Sequence, residues 1–124
     1  MDKKTILIVD DNADTRLLLS ARLKANHYHT VFAADALQVM SVALRERPDA
    51  ILLDLGLPGG NGLMVLERLK SNTSLGCIPV IIVTAEDPKV AETCTIEAGA
   101  AAFLQKPVDH DKLMAAVQQA LGTT

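Results

Sequence analysis

The chain has 124 residues, 49% hydrophobic and 22% charged, with a formal net charge of −3. This length suits one domain around one core, and so apolar a composition excludes a disordered chain. The mild acidity and the absence of a basic stripe argue against nucleic acid as a direct partner, and no apolar run approaches the roughly 20 residues of a membrane span.

The first element in chain order is the aliphatic run Thr5–Val9, a strand that ends at Asp10-Asp11. Helical spacing follows over Ala13–Ala25, with Leu19 and Leu23 inward. A second strand, Thr30–Ala33, leads to Asp35, which stands where a helix cap needs a side-chain acceptor. Beyond it Ala36, Val39, Met40, Ala43 and Leu44 recur at the spacing of one helical face. Pro48-Asp49 breaks that helix before the third strand, Ala50–Leu53, which runs into Asp54. The next helix, Gly62–Lys70, turns Val65, Leu66 and Leu69 inward, with Asn61 at its capping position. A fourth strand, Val80–Val83, ends at Thr84. The helix after it, Pro88–Ala98, turns Val90, Ala91, Cys94 and Ala98 inward and closes at Gly99. The last strand, Ala101–Leu104, is followed by Lys106-Pro107. Asp109 caps the final helix, whose inward face is Leu113, Ala116, Val117, Ala120 and Leu121, with Gly122 past its end.

Five strands alternating with five helices require parallel pairing and crossover connections. Runs such as ILIV, AILL and VIIV are apolar without alternation, as strands buried on both faces are. The expected fold is therefore α/β, a doubly wound five-stranded parallel sheet of order 2-1-3-4-5 flanked by five helices, flavodoxin-like, as a single domain over residues 1–124. With no Trp, one Tyr and two Phe, its core rests on Leu, Val, Ile and Ala. Met40, Met64 and Met114 read as packing residues. Cys77 and Cys94 have no metal-type spacing and read as buried or half-buried free thiols. The N-terminus meets acidic residues too early for a secretory signal, so a cytoplasmic location is expected.

In such a sheet ligands bind beyond the carboxyl ends of the strands, where the winding reverses. Asp10, Asp11, Asp54, Thr84 and Lys106 all end strands. Each alone has an ordinary explanation: a helix cap, a strand-favouring threonine, a surface lysine. Together they place three carboxylates in one pocket, with an ammonium opposite and a hydroxyl beside them. Crowded carboxylates repel, and a hard divalent cation such as Mg²⁺ relieves the repulsion. A carboxylate nucleophile, a metal, an ammonium and a hydroxyl are what phosphoryl transfer needs, because its catalysis is largely positioning and charge neutralisation.

The segments ILIVDDN, ILLDLGLPGGNG, VIIVTAE and AGAAAFLQKP resemble the receiver domains of two-component response regulators, and the resemblance runs from Thr5 to Leu121. It implies that Asp54 is the phosphoacceptor, phosphorylated by a sensor histidine kinase or a histidine phosphotransfer protein. Asp11, Asp54 and the backbone carbonyl of Gly56 would hold Mg²⁺, with Asp10 reaching it directly or through water. Lys106 would pair with the phosphoryl group, the Lys106–Pro107 bond would be cis, and Thr84 and Phe103 would form the switch pair. Phosphorylation would then repack the face made by helix 4, strand 5 and helix 5 and control an unknown downstream protein. Such a chain is a signalling switch that catalyses only its own phosphorylation and dephosphorylation, acting as a monomer or weak dimer without membrane or nucleic acid.

Several positions depart from the family pattern. His27 and Ala36 replace frequent glycines around strand 2, and Asn61 stands where Asp is common. Ala100-Ala101-Ala102 lacks acidic residues that pair across dimers of DNA-binding members, which argues against that dimer and leaves a small apolar surface beside Phe103. Gly56 and Glu86 flank the path of water to the phosphoryl group, and Gly56 shields nothing. His27 and His29 form a much weaker candidate for a metal pair. A flavin carrier is disfavoured by the acidic DDNADT loop, and an aspartyl phosphatase by Gly56 where a second acid would stand. A non-phosphorylated interaction domain of the same fold remains the alternative. Only Gly122-Thr123-Thr124 follow the last helix, so a stand-alone regulator and a receiver taken from a longer protein fit equally.

Overall fold

The apolar runs become strands because their backbones gain partners on both sides and their side chains are covered from both faces. The computed structural model describes residues 3–57 and 62–122. In chain order the elements are β1 (Thr5–Val9), α1 (Ala13–Ala25), β2 (His29–Ala33), α2 (Ala36–Glu46), β3 (Ala50–Leu53), α3 (Gly62–Ser71), β4 (Val80–Thr84), α4 (Pro88–Glu97), β5 (Ala102–Gln105) and α5 (His110–Ala120). The strands form one parallel sheet of order β2-β1-β3-β4-β5, with Ile8 beside Phe32 and Leu52, and Ile82 beside Leu53 and Phe103. This is the expected doubly wound fold.

Side chains alternate across each strand, so β1, β3 and β4 each feed two core layers. Leu7, Val9, Ile51, Leu53 and Ile82 pack against Val39 and Ala43 of α2, Leu66 and Leu69 of α3 and Ala91 of α4. Ile6, Ile8, Leu52, Ile81 and Val83 pack against Leu19 and Leu23 of α1 and Leu113 and Val117 of α5. Each of the Val, Leu and Ile side chains among these, fully buried, stabilises the fold by roughly 1.5–3 kcal/mol before its ordering cost. The helices are also stopped and started locally. Asp35, Asp87 and Asp109 accept backbone N–H bonds as N-caps of α2, α4 and α5. For α1 the cap is Asn12, which accepts from Thr15 N–H at 3.0 Å, so neither Asp10 nor Asp11 is spent on capping. Asn61, the expected cap of α3, lies outside the described residues.

Four expectations about burial are corrected. In α4 the inward positions are Ala91 and Thr95, whereas Val90 is 76% exposed and Cys94 faces solvent. The hydroxyl of Thr95 donates to the carbonyls of Ala91 and Glu92, at 3.0 Å each, so a polar residue can occupy the fully buried site. Cys77, in the α3–β4 loop, is exposed as well, so neither thiol belongs to the core. In α2 the buried stripe is Val39, Val42 and Ala43 while Leu44 turns outward, and Met64 of α3 is exposed.

His27 adopts φ 71° in the tight turn between α1 and β2. A side chain pays in this left-handed region for the approach of its Cβ to the carbonyl, a cost glycine escapes. His27→Gly is therefore expected to stabilise the fold by up to about 1 kcal/mol, read as a rise in the urea midpoint. A lower midpoint would mean that the imidazole makes a compensating contact.

Candidate functional site

Strand ends deliver the site because neighbouring parallel strands finish level with one another. Asp10 follows β1 and its N–H donates to Ala33 O at 3.2 Å, while Asp54 follows β3 and donates to Val9 O at 3.0 Å. Thr84 is the last residue of β4, and Lys106, one residue past β5, donates its N–H to Thr84 O at 2.8 Å. The ladder thus continues one step beyond the strands and fixes the Cα position of each group.

The side chains converge from there. Asp10 is 2% exposed and Asp54 8% exposed, while Asp11 faces solvent, and carboxylate oxygens of all three lie within 4.8 Å of one another. Lys106 Nζ bridges two of them, at 2.7 Å from Asp10 Oδ2 and 3.1 Å from Asp54 Oδ2. Burial pulls the pKa of this ammonium down, but the hydrogen bonds and charges of Asp10 and Asp54 more than offset it. The net result lies above the usual 10.5. The second oxygen of each buried carboxylate is held by backbone: Asp10 Oδ1 accepts from Asn12 N–H at 2.9 Å and Asp54 Oδ1 from Gly56 N–H at 3.1 Å. Both carboxylates are therefore fixed in rotation as well as in place.

Thr84 is buried, and its Oγ1 accepts a long bond of 3.3 Å from Glu86 N–H. Phe103, level with Ile82 on the neighbouring strand, is half-buried against the α2–α4 core layer. The Lys106–Pro107 bond is cis. The expected residues are thus close together, Phe103 one strand from Thr84 and Gly56 beside Asp54. Ala101 and Ala102 border a cleft of about 360 Å³ with Pro79, Ala116 and Ala120, whereas Ala100 is buried in the α2–α4 core layer. His27 and His29 are exposed, and among the described residues only the three aspartates gather as a metal-type cluster.

Two groups escaped sequence reasoning. Arg16 Nη1 donates to the carbonyl of Asp10 at 2.7 Å, and Arg22 Nη1 to the carbonyl of Val108 at 3.0 Å. Arg16 carried a faint signal, since a cation near a helix N-terminus opposes the macrodipole and needs a local reason. Arg22 carried none, because its partner is 86 residues away.

The donor set suits a hard divalent cation. All the cluster's ligand atoms are carboxylate oxygens, and three carboxyls face a single ammonium, which leaves the pocket short of positive charge.

Residues 6–118 match the family model described as the response regulator receiver domain. The chain is 39% identical over 113 residues to the response regulator PleD of Caulobacter vibrioides, a match that covers 91% of this chain but 25% of that protein. It is 37% identical over 121 residues to sporulation initiation phosphotransferase F of Bacillus subtilis, covering 98% of this chain and 96% of that one. Among solved structures, the receiver domain of a sensor histidine kinase from Pseudomonas aeruginosa, with a magnesium ion coordinated in its active-site cleft, superposes with a TM-score of 0.88 at 28% identity. That likeness covers 98% of this chain and 100% of that one. The chain therefore spans about a quarter of one curated relative and nearly the whole of another.

Proposed function

The chain belongs to the response regulator receiver domain family, the signalling switches of two-component systems, and on that premise we propose that it is a phosphoaspartate switch whose acceptor is Asp54. The observation that carries this reading is a buried carboxylate, Asp54, flanked by Asp10, Asp11 and the Lys106 ammonium. A sensor histidine kinase or a histidine phosphotransfer protein is the proposed donor. Residues 1–124 act as one receiver domain, whether free-standing or part of a longer protein. Among the described residues no helix is long and apolar enough to cross a membrane.

In the proposed reaction an Asp54 carboxylate oxygen attacks phosphorus. The Oδ–P bond forms, the P–N bond to the donor imidazole breaks, and the imidazole leaves. Backbone N–H of Gly56 holds one Asp54 oxygen at 3.1 Å, which fixes the direction of the other. Lys106 is already within ion-pair distance of Asp54 and stabilises charge that builds on the phosphoryl oxygens. Asp10, Asp11, Asp54 and the Gly56 carbonyl would hold Mg²⁺, which when bound supplies charge neutralisation to the phosphoryl group. Gly56 carries no side chain to screen the product from water. The chain turns over its own acyl phosphate and no separate metabolite.

The output follows from Thr84 and Phe103. Among the described residues the hydroxyl of Thr84 has a single long, weak bond to lose when it turns toward a phosphoryl oxygen. Its methyl then leaves space beside Phe103, which lies on the neighbouring strand and rotates into it. This repacks the surface of α4, β5 and α5, to which a downstream protein binds.

The test is incubation with acetyl phosphate or phosphoramidate, with and without Mg²⁺, read by intact mass beside Asp54→Asn. A metal-dependent, base-labile gain of one phosphoryl group that the variant lacks is the expected result. No gain from small donors, from a histidine phosphotransfer protein or with a beryllofluoride mimic would leave a non-phosphorylated interaction domain as the better reading.

A further inference from the structure

One helix, α1, holds the backbone on two sides of the acidic pocket. Arg16 clamps the carbonyl of Asp10 within the β1–α1 turn, and Arg22, lower on the helix, reaches across to the carbonyl of Val108 at 3.0 Å. Val108 lies two residues past Lys106, beyond Pro107, which has no N–H to give. The segment 106–108 is thus tied at both ends: Lys106 N–H to Thr84 O at 2.8 Å, and Val108 O to Arg22. Between the two ties the Lys106 side chain must reach Asp10 and Asp54 together, at 2.7 and 3.1 Å. Arg22 is half-buried and borders a cleft of about 370 Å³ shared with Lys106, Pro107 and Val108. Among the described residues its guanidinium forms no salt bridge with an acidic residue, and the bond it donates goes to this loop carbonyl.

We propose that Arg22 is a positioning residue for phosphoryl transfer: by holding the Val108 carbonyl it fixes the loop that aims the Lys106 ammonium at Asp54. This rests on the switch reading above, in which Lys106 stabilises the transferring group. Without that bond the far end is held by the packing of Val108 on the α1–α5 core layer and by the start of α5, with its carbonyl unfixed. A misplacement of the ammonium by about 1 Å is enough to slow a positioned reaction substantially. The metal-type cluster, by contrast, is built from the ends of β1 and β3 and from the β1–α1 turn, whereas the bond that the Arg22 guanidinium donates goes to the β5–α5 loop.

The experiment measures phosphorylation by phosphoramidate with intact mass, and Mg²⁺ affinity by calorimetry, for wild type, Arg22→Met, Arg22→Lys, Lys106→Met and the Arg22→Met/Lys106→Met double variant. Arg22→Met is expected to slow phosphorylation about tenfold and leave Mg²⁺ affinity within about twofold, since the metal-type cluster is held without it. Arg22→Lys, which keeps a cationic donor, recovers most of the rate. In the Lys106→Met background, Arg22→Met changes the rate less than about twofold, because the group it positions is gone. Hydrogen exchange of the Lys106 amide is expected to quicken in Arg22→Met. An unchanged rate in Arg22→Met overturns the proposal, as does an equal loss with Lys106 absent, or a loss of Mg²⁺ affinity in parallel with rate. If the wild type itself takes no phosphoryl group, the switch reading falls too. A phosphorylated wild type with an indifferent Arg22→Met overturns the role of Arg22 alone.

Discussion

Replacing Gly62 by alanine is expected to destabilise the fold by about 3 kcal/mol and to lower Tm by roughly 10 °C. Gly62 opens α3, is buried, and donates its N–H to Leu55 O at 2.9 Å. A Cβ there would lie 2.4 Å from Leu55 Cα, 2.7 Å from Asp54 O and 3.0 Å from Leu55 C. All three are backbone atoms, so no side chain can swing aside. Either α3 lifts away and gives up its bond to Leu55, or the chain just past β3 shifts and takes Asp54 with it. Both routes damage the site as well as the fold, and phosphorylation should slow along with the loss of stability. Gly56→Ala is the matched control, since the nearest atom to its added Cβ is Asp54 Oδ1 at 3.9 Å. It is expected to stay within about 0.5 kcal/mol of wild type in urea unfolding. If Gly62→Ala were as stable as Gly56→Ala, α3 would have to slide freely on the β3 end, and the close approach would not constrain the acceptor.

The contrast between these glycines shows where the sequence is readable and where it is not. The three central strands were legible because ILIV, AILL and VIIV are bounded, unbroken aliphatic runs, a pattern with one structural solution in an alternating chain. From the strands follow the sheet order and the convergence of Asp10, Asp54, Thr84 and Lys106, because the residue after each strand inherits the strand's position. Gly62 could not be distinguished from Gly56 in this way. Its importance lies in the distance between two backbones, and no pattern of side chains records that.

α4 was misread for a related reason. Its sequence PKVAETCTIE offers two competing stripes, and hydropathy favours the one through Val90 and Cys94. The helix does bury Ala91, as expected, but pairs it with Thr95 rather than with Val90 and Cys94. Both are small residues that allow close approach to the core, and the threonine hydroxyl is satisfied inside its own helix. Leu75 was missed likewise, an apolar residue fully buried within the polar stretch between α3 and β4. Arg22 is the strongest case. Its tie to the β5–α5 loop exists only once the chain has folded, so nothing local in α1 announces it.

Lys106→Met is expected to cost about 2 kcal/mol at neutral pH without Mg²⁺. The ammonium is the only cation in a salt bridge with Asp10 or Asp54 among the described residues, and it bridges both. Methionine keeps the length of the stem and removes the charge, which leaves two nearly buried carboxylates facing each other. Mg²⁺ should restore part of the lost stability by binding the folded state alone, so its stabilising increment is expected to be larger in the variant than in wild type. The rate of phosphorylation should still fall at least about tenfold, because the metal does not replace the donor aimed at the phosphoryl oxygens. The pH dependence has a definite sign. The folded pKa of Lys106 lies above 10.5, so its contribution is complete below that value and is lost as pH rises through the folded pKa. Wild type and Lys106→Met should therefore differ in urea midpoint at pH 7 and converge above pH 10.5. A constant difference through the alkaline range would show that the stem of the lysine, rather than its charge, contributes the stability. A variant as stable as wild type at pH 7 would mean that solvent already screens the two carboxylates, and the ammonium would then be held in place for the reaction rather than for the fold.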